Sequence, residues 1–275
     1  MSSTDDSRTA KLTAFAEQAA IALGKDERIR LLWLTGSLAK GTADAQSDVD
    51  LRVAVRATDF AIIDQWWQDL LNQVAPLVWK YRWSGPPDEA ILGAITADYL
   101  RFDIVVQSTH DTRARTLEAA RLLFDKDGEA EHFLLTTPSY RDPYTHLPVL
   151  VEEFIRLLGM LPIVVERYDI PIGMEGQLAL YSMLINLLLL ENGIDRTTTG
   201  KRHVASFLNE EQQTILAQVP SLAPTIESLI QGRLTYGRLF LPRAQRLMAA
   251  HGQVYPEAFE AATKQHLWET LGLRL

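Results

Sequence analysis

The segment from residue 31 to residue 55 constrains the fold most strongly, because two short apolar runs flank a turn that contains glycine. Residues 31–34 form a continuous apolar run that ends at Gly36 and Ser37, and residues 49–55 alternate apolar and polar side chains. Runs of this length and period, bounded by glycine and serine, are typical of β-strands. The segment therefore predicts two strands joined by a Gly-Ser turn and a short polar stretch.

The remainder of the first half mixes helical and strand patterns. Helical spacing is found at residues 3–23, 58–74 and 113–123, and strand patterns at residues 77–83, 90–96 and 99–107. Helices that alternate with strands in this order predict an α/β domain with a mixed sheet.

The second half predicts a helical bundle. Prolines at 138, 143 and 148 interrupt the chain where apolar residues are few, and proline disfavours helix at its own and the preceding position. We therefore place a domain boundary between residues 140 and 141. Beyond it the helical period returns at residues 151–166, 177–190, 204–218, 226–247 and 256–271, which predicts an all-α C-terminal domain over residues 141–275.

Composition excludes several kinds of site and partner. The chain of 275 residues has no cysteine, which rules out disulfides, thiolate zinc sites and cysteine nucleophiles. Its net charge of −8 argues against broad binding of nucleic acid. The most apolar run, residues 183–190, is far shorter than the roughly 20 residues that cross a bilayer. With no secretion signal in the first residues, we expect a cytoplasmic protein without a membrane partner.

Three aspartates are candidate ligands of a divalent cation. Asp48 and Asp50 flank Val49 at the start of a strand, and side chains two residues apart point to the same face. Asp103 is an acid in an otherwise apolar strand, where an ionised carboxylate is costly unless it is paired or bound to metal. Carboxylates suit Mg²⁺, which takes further ligands from substrate phosphates.

The Gly36-Ser37 turn has the features of a phosphate-binding loop. Glycine allows close approach of the backbone, free N–H groups point outward, and a serine hydroxyl donates to phosphate oxygen. Lys40 follows in the same short segment and adds a positive charge. Carboxylates for a metal and a turn for phosphates together predict chemistry on a nucleoside triphosphate.

This pattern, Gly36-Ser37 followed by Asp48-Val49-Asp50 and a later strand acid, resembles the signature of the nucleotidyltransferase superfamily of the polymerase-beta type. The resemblance covers residues 30–107. The chain length and the helical second half look like the antibiotic nucleotidyltransferases, which adenylylate aminoglycosides or lincosamides. The resemblance implies a transferase that uses Mg²⁺ and moves a nucleoside monophosphate from ATP, or another triphosphate, to the hydroxyl of a small molecule.

Roles for individual residues follow from the same resemblance. It implies that Ser37 binds the triphosphate, that Asp48 and Asp50 hold Mg²⁺, and that Asp103 is a third ligand or the general base. Some relatives use a glutamate on a neighbouring strand instead, for which Glu89 is the candidate. A Gly-Lys turn resembling that of streptomycin/spectinomycin adenylyltransferases adds Lys201 as a possible nucleotide contact.

Alternatives remain open for several of these features. Transfer to a protein or tRNA, or a regulator that binds nucleotide without turnover, would use the same motif, and the acceptor, the triphosphate and the oligomeric state are not decided by sequence. Because Glu89 follows two prolines, an exposed loop acid is its favoured interpretation. Aromatic side chains at 79, 81 and 83 alternate along a strand, and packing is favoured over a substrate-stacking surface.

Overall fold

The computed structural model describes residues 2–84, 89–108, 120–128, 130, 142–195 and 204–275, and the chain divides into two compact units, 1–139 and 140–275. In the first unit, helix α1 (Ser2–Gly24) precedes strand β1 (Ile29–Thr35), and the short helix α2 (Gly36–Lys40) leads to β2 (Val49–Val55). The elements that follow are α3 (Ala57–Phe60), a 3-10 turn (Ile63–Gln65), α4 (Trp67–Val74), β3 (Leu77–Ser84), β4 (Glu89–Thr96), β5 (Arg101–Ser108) and β6 (Arg121–Asp125).

The described strands form one mixed sheet in the order β3-β4-β5-β2-β1-β6. β2 and β5 are parallel, while the other neighbouring pairs are antiparallel. The mixed sheet and the helical second half confirm the fold class predicted from the sequence. The strands predicted at residues 77–83, 90–96 and 99–107 are present as β3, β4 and β5.

The two faces of the sheet have different surroundings. On one face, side chains such as Leu51, Leu92 and Ile104 are fully buried in a core with α1 and α4. The alternate positions on the other face, such as Asp50 and Asp103, are only half-buried. Apolar side chains thus cover the helix-packed face, and the polar residues of β2 and β5 are left on the opposite face.

The helix predicted over residues 113–123 is wrong at its end, because residues 121–125 are strand β6. Leu31 pairs with Asp125 and Leu32 with Phe124, so this strand hydrogen-bonds to the free side of β1. The backbone groups of β1 would otherwise be unpaired, and this need outweighs the helical apolar spacing. Residues 113–119 lie outside the described part of the chain.

The helix predicted over residues 58–74 is divided into α3, the 3-10 turn and α4. The indole Nε1 of Trp66 donates to the carbonyl of Asp59 at 2.9 Å, within the interrupted region. Ile63 and Trp66 are buried there while Ile62 is exposed, so the chain changes direction to bury the first two.

In the part of the second unit that the structure describes, all regular elements are helical. These are α5 (Leu147–Gly159), α6 (Leu161–Arg167), α7 (Ile170–Glu191), α8 (Glu210–Ala217), α9 (Ile226–Ala250) and α10 (Glu257–Leu271), with 3-10 turns at Pro143–His146 and Val204–Phe207. The long helices predicted from residues 151 and 204 are each divided. Pro162 lies in the first turn of α6, where its missing N–H costs little, and Asn209 forms a capping box with Gln212 at the start of α8.

A buried arginine lies at the break between α5 and α6. Arg233 on α9 is 2% exposed, and its guanidinium donates to the carbonyl of Leu157. The same carbonyl accepts from the backbone N–H of Met160 at 3.3 Å, so the guanidinium is a second donor to it at the helix end. Burial lowers the pKa of Arg233 to about 10, which still leaves it charged at neutral pH.

Helix α7 is long and apolar enough to cross a membrane by length and composition alone. It has 22 residues, and 44% of its most apolar window is buried inside the chain. The apolar run of residues 183–190 is the most buried part of this helix. The helix itself begins earlier than the sequence pattern predicted. Core helices of globular proteins pass the same test, so length and hydropathy assign no membrane role.

Replacing Phe240 by alanine tests the centre of this helical core. The rings of Phe154 and Phe240 are stacked with centroids 3.6 Å apart, and both side chains are 0% exposed. We expect Phe240→Ala to lower the free energy of unfolding by about 3–5 kcal/mol, because it removes buried area and leaves a cavity. Urea denaturation measures the change. Phe259→Ala, at a position 39% exposed, is the control and should cost much less; equal losses would contradict the packing described.

Candidate active site

The parallel pairing of β2 and β5 brings three carboxylates together. Asp50 and Asp103 are direct neighbours in the register, and Asp48 immediately precedes β2. One carboxylate oxygen of each lies within 4.8 Å of the others; Asp48 is buried, and Asp50 and Asp103 are half-buried. Like charges at this separation repel, and a divalent cation bound between them would remove that repulsion. The donor set is all carboxylate oxygen, which fits Mg²⁺.

Gly36 lies directly against Asp50. Its φ is +67°, and a Cβ added at this position would be 1.9 Å from Oδ2 of Asp50. Both the backbone conformation and the absence of a side chain are therefore required here. Thr35 stabilises the junction, because its hydroxyl donates to the carbonyl of Asp50 at 3.3 Å. The turn predicted to bind phosphate thus begins at the edge of the acid cluster.

Two further predicted phosphate contacts, Ser37 and Lys40, lie on helix α2. Ser37 is half-buried in the first turn of α2, next to Gly36, while Lys40 is exposed at the end of that helix. Lys201 and the Gly-Lys turn before it lie outside the residues that the structure describes.

The loop before Asp48 is held by hydrogen bonds of its own. Oδ1 of Asp44 accepts from the backbone N–H of Gln46 and from the hydroxyl of Ser47, at 2.9 and 3.0 Å. The guanidinium of Arg101, at the start of β5, donates to the carbonyl of Gln46 at 2.7 Å. These contacts tie the entry to β2 to the neighbouring strand and so fix the backbone that carries Asp48.

Glu89 is not the exposed loop acid that the preceding prolines indicated. It is the first residue of β4 and is 9% exposed, since it pairs with Gln107 of β5. Arg52 donates from one terminal nitrogen to Glu89 at 3.1 Å and to Gln107 at 2.9 Å. Gln107 is four residues beyond Asp103, so Glu89 lies about 13 Å further along the sheet.

Some residues of this face were missed by the sequence analysis. Arg52 follows Asp50 by two positions, and this strand period is the signal that places it on the acid face. Gly93 pairs with Asp103, and the ring of Tyr81 fills the space where its side chain would be. No motif marks that glycine, because its role depends on a pairing between distant strands.

Comparison with known families identifies the domain. Residues 18–121 match the family model described as "Nucleotidyltransferase domain", a segment that contains the Gly-Ser turn and all three aspartates. The chain thus carries a nucleotidyltransferase domain, and this match supports the enzyme class that the sequence predicted. A search of curated proteins gave no match.

Two solved structures are similar over most of their length. A crystal structure of an aminoglycoside 6-adenyltransferase from Bacillus subtilis is 16% identical, with 91% of this chain and 97% of that chain covered and a TM-score of 0.39. A nucleotidyltransferase-like protein from Exiguobacterium sibiricum is 12% identical, with 93% and 88% covered and a TM-score of 0.38.

The contact between Gly36 and Asp50 can be tested by substitution. We expect Gly36→Ala to displace the carboxylate and to weaken Mg²⁺ binding roughly 10–100-fold, as changes beside metal ligands do. Isothermal titration with MgCl₂ measures the affinity.

Gly128→Ala is the matched control, because Gly128 has a φ of +72° but nothing within 4 Å of an added Cβ. Both variants lose about 1–2 kcal/mol of stability from the left-handed backbone. Only Gly36→Ala should change Mg²⁺ affinity, and an equal effect in both variants would contradict the close approach.

Proposed function

We propose that the chain is a Mg²⁺-dependent transferase that moves AMP from ATP to a hydroxyl of a small molecule of the aminoglycoside or lincosamide type. The observation that carries the proposal is the carboxylate cluster of Asp48, Asp50 and Asp103 beside the Gly36-Ser37 turn, inside the matched domain. The nature of the acceptor rests on the chain length and the helical second half, which resemble those of the antibiotic nucleotidyltransferases. Residues 1–140 are proposed as the catalytic domain of a cytoplasmic protein, followed by a helical domain.

The proposed site residues act by binding and charge neutralisation. The backbone at Gly36 and the hydroxyl of Ser37 hold phosphate oxygens, with Lys40 and Lys201 as additional cationic contacts. Asp48, Asp50 and Asp103 would hold Mg²⁺, which when bound neutralises phosphate charge and polarises the α-phosphate.

The reaction is an in-line displacement. The acceptor hydroxyl oxygen forms a bond to the α-phosphorus, the bond from that phosphorus to the bridging oxygen breaks, and pyrophosphate leaves with the electron pair. Asp103 is the proposed base that takes the hydroxyl proton, because it lies in the cluster on the side away from the Gly-Ser turn.

The transfer itself is tested with purified protein, MgATP and a panel of aminoglycosides and lincosamides. Pyrophosphate release and the acceptor mass are followed together. We expect one acceptor to gain the mass of one nucleoside monophosphate, and the double variant Asp48→Asn, Asp50→Asn to lose at least about a hundredfold in rate, since it removes charge stabilisation.

Glu152→Gln serves as the control, because Glu152 is an exposed acid on α5. Binding of MgATP without transfer to any acceptor would indicate a regulator instead. Unchanged transfer in the double aspartate variant would contradict the assignment of Asp48 and Asp50 as Mg²⁺ ligands.

A second comparison separates the two candidate bases. We expect Asp103→Asn to abolish transfer in a folded protein. Glu89→Gln should keep transfer but lower the free energy of unfolding by about 3 kcal/mol, because it breaks the ion pair with Arg52, whose side chains are 18% and 8% exposed. Rates are measured below the melting temperature of each variant. Loss of transfer in folded Glu89→Gln, with Asp103→Asn still active, would reverse the roles.

A further inference from the structure

An aromatic surface lies on the same face of the sheet as the carboxylate cluster. Trp79, Tyr81 and Trp83 alternate along the edge strand β3, and the rings of Trp79 and Tyr81 have centroids 4.9 Å apart. Trp79 is 52% exposed and Trp83 is 60% exposed. Packing therefore does not account for these two indoles, although the sequence favoured that interpretation.

The register connects this surface to the acids in a single row. Tyr81 pairs with Gly93, Gly93 pairs with Asp103, and Asp103 pairs with Asp50. A Cβ at Gly93 would be 1.8 Å from Cε1 of Tyr81, so the tyrosine ring covers the glycine. The aromatic surface consequently reaches the strand that carries Asp103 without a side chain between them.

In the proposed reaction, the attacking oxygen and the leaving oxygen lie on opposite sides of the carboxylate cluster. The attacking and leaving oxygens lie roughly in line across the transferred phosphorus. In the proposed function the pyrophosphate is held at Gly36, after β1, whereas β4 and β3 lie on the opposite side of the β2–β5 pair. The acceptor hydroxyl then arrives from the side of Gly93 and Tyr81.

We propose that Trp79, Tyr81 and Trp83 form the surface on which the acceptor lies, and that the acceptor is a small molecule built from saturated, hydroxylated rings. This inference rests on the proposed function, since the direction of attack comes from it. The C–H face of such a ring packs on an aromatic side chain, while its hydroxyls stay in water or turn toward the acids. Residues 79 and 83 are about 13 Å apart along the strand, which suits more than one linked ring.

The experiment measures binding without turnover. The titrants are streptomycin, spectinomycin, kanamycin, lincomycin and, separately, MgATP, each added to the full chain in a calorimeter. The variant is Trp79→Leu, Trp83→Leu, at two exposed positions, with folding checked by circular dichroism. Trp268→Leu is the matched control, because Trp268 is 48% exposed on α10.

We expect at least one ring compound to bind the unmodified chain and its Kd to rise about tenfold or more in the double tryptophan variant. The Kd of MgATP should change less than about twofold, and the control should match the unmodified chain for every titrant. If MgATP weakens while ring binding stays the same, the surface holds the nucleotide base and the inference is overturned. It is also overturned if no ring compound binds, or if all variants bind equally.

The two proposals fail in different ways. Ring binding that depends on the indoles, with no nucleotide transferred, would leave this surface assigned and remove the proposed function. Transfer that is normal in the double tryptophan variant, with unchanged KM for the acceptor, would retain the function and remove the surface.

Discussion

The parallel contact between β2 and β5 is the interaction on which the candidate site depends. Parallel neighbours cannot be joined by a tight hairpin, so β3 and β4 intervene in sequence and pair on the far side of β5. This arrangement places Asp50 next to Asp103 and leaves Gly93 beside them. A slip of one residue between β2 and β5 would turn one aspartate toward the apolar core, so the buried face also maintains the register of the acids.

One face of the sheet packs in the apolar core, and the other carries the residues of the candidate site. Leu51 and Ile104 lie in the helix-packed core, one residue away from Asp50 and Asp103 on the open face. The ion pair between Arg52 and Glu89 joins β2 to β4 across β5 on that open face. This face thus carries both a compensated ion pair that connects strands and a cluster of like charge that favours a cation.

Local patterns predicted much of this arrangement. The apolar run of residues 31–34, the glycine before Ser37 and the alternation of residues 49–55 predicted β1, the turn and β2. Strand period alone put Asp48 and Asp50 on one face. The sequence did not reveal that Glu89 pairs with Arg52, because that contact depends on two strands separated by a third. It also assigned residues 121–123 to a helix, since the edge of β1 that they cover is visible only after the sheet is assembled.

The contact between Gly93 and Tyr81 couples the substitutions that these two positions can accept. Any side chain added at position 93 meets the tyrosine ring, so we expect a change there to be accompanied by a smaller residue at position 81. Conversely, loss of the ring alone leaves a trough above the glycine that leads toward Asp103. We therefore expect the width of the space between Tyr81 and Asp103 to change through paired substitutions at positions 81 and 93 rather than through single ones.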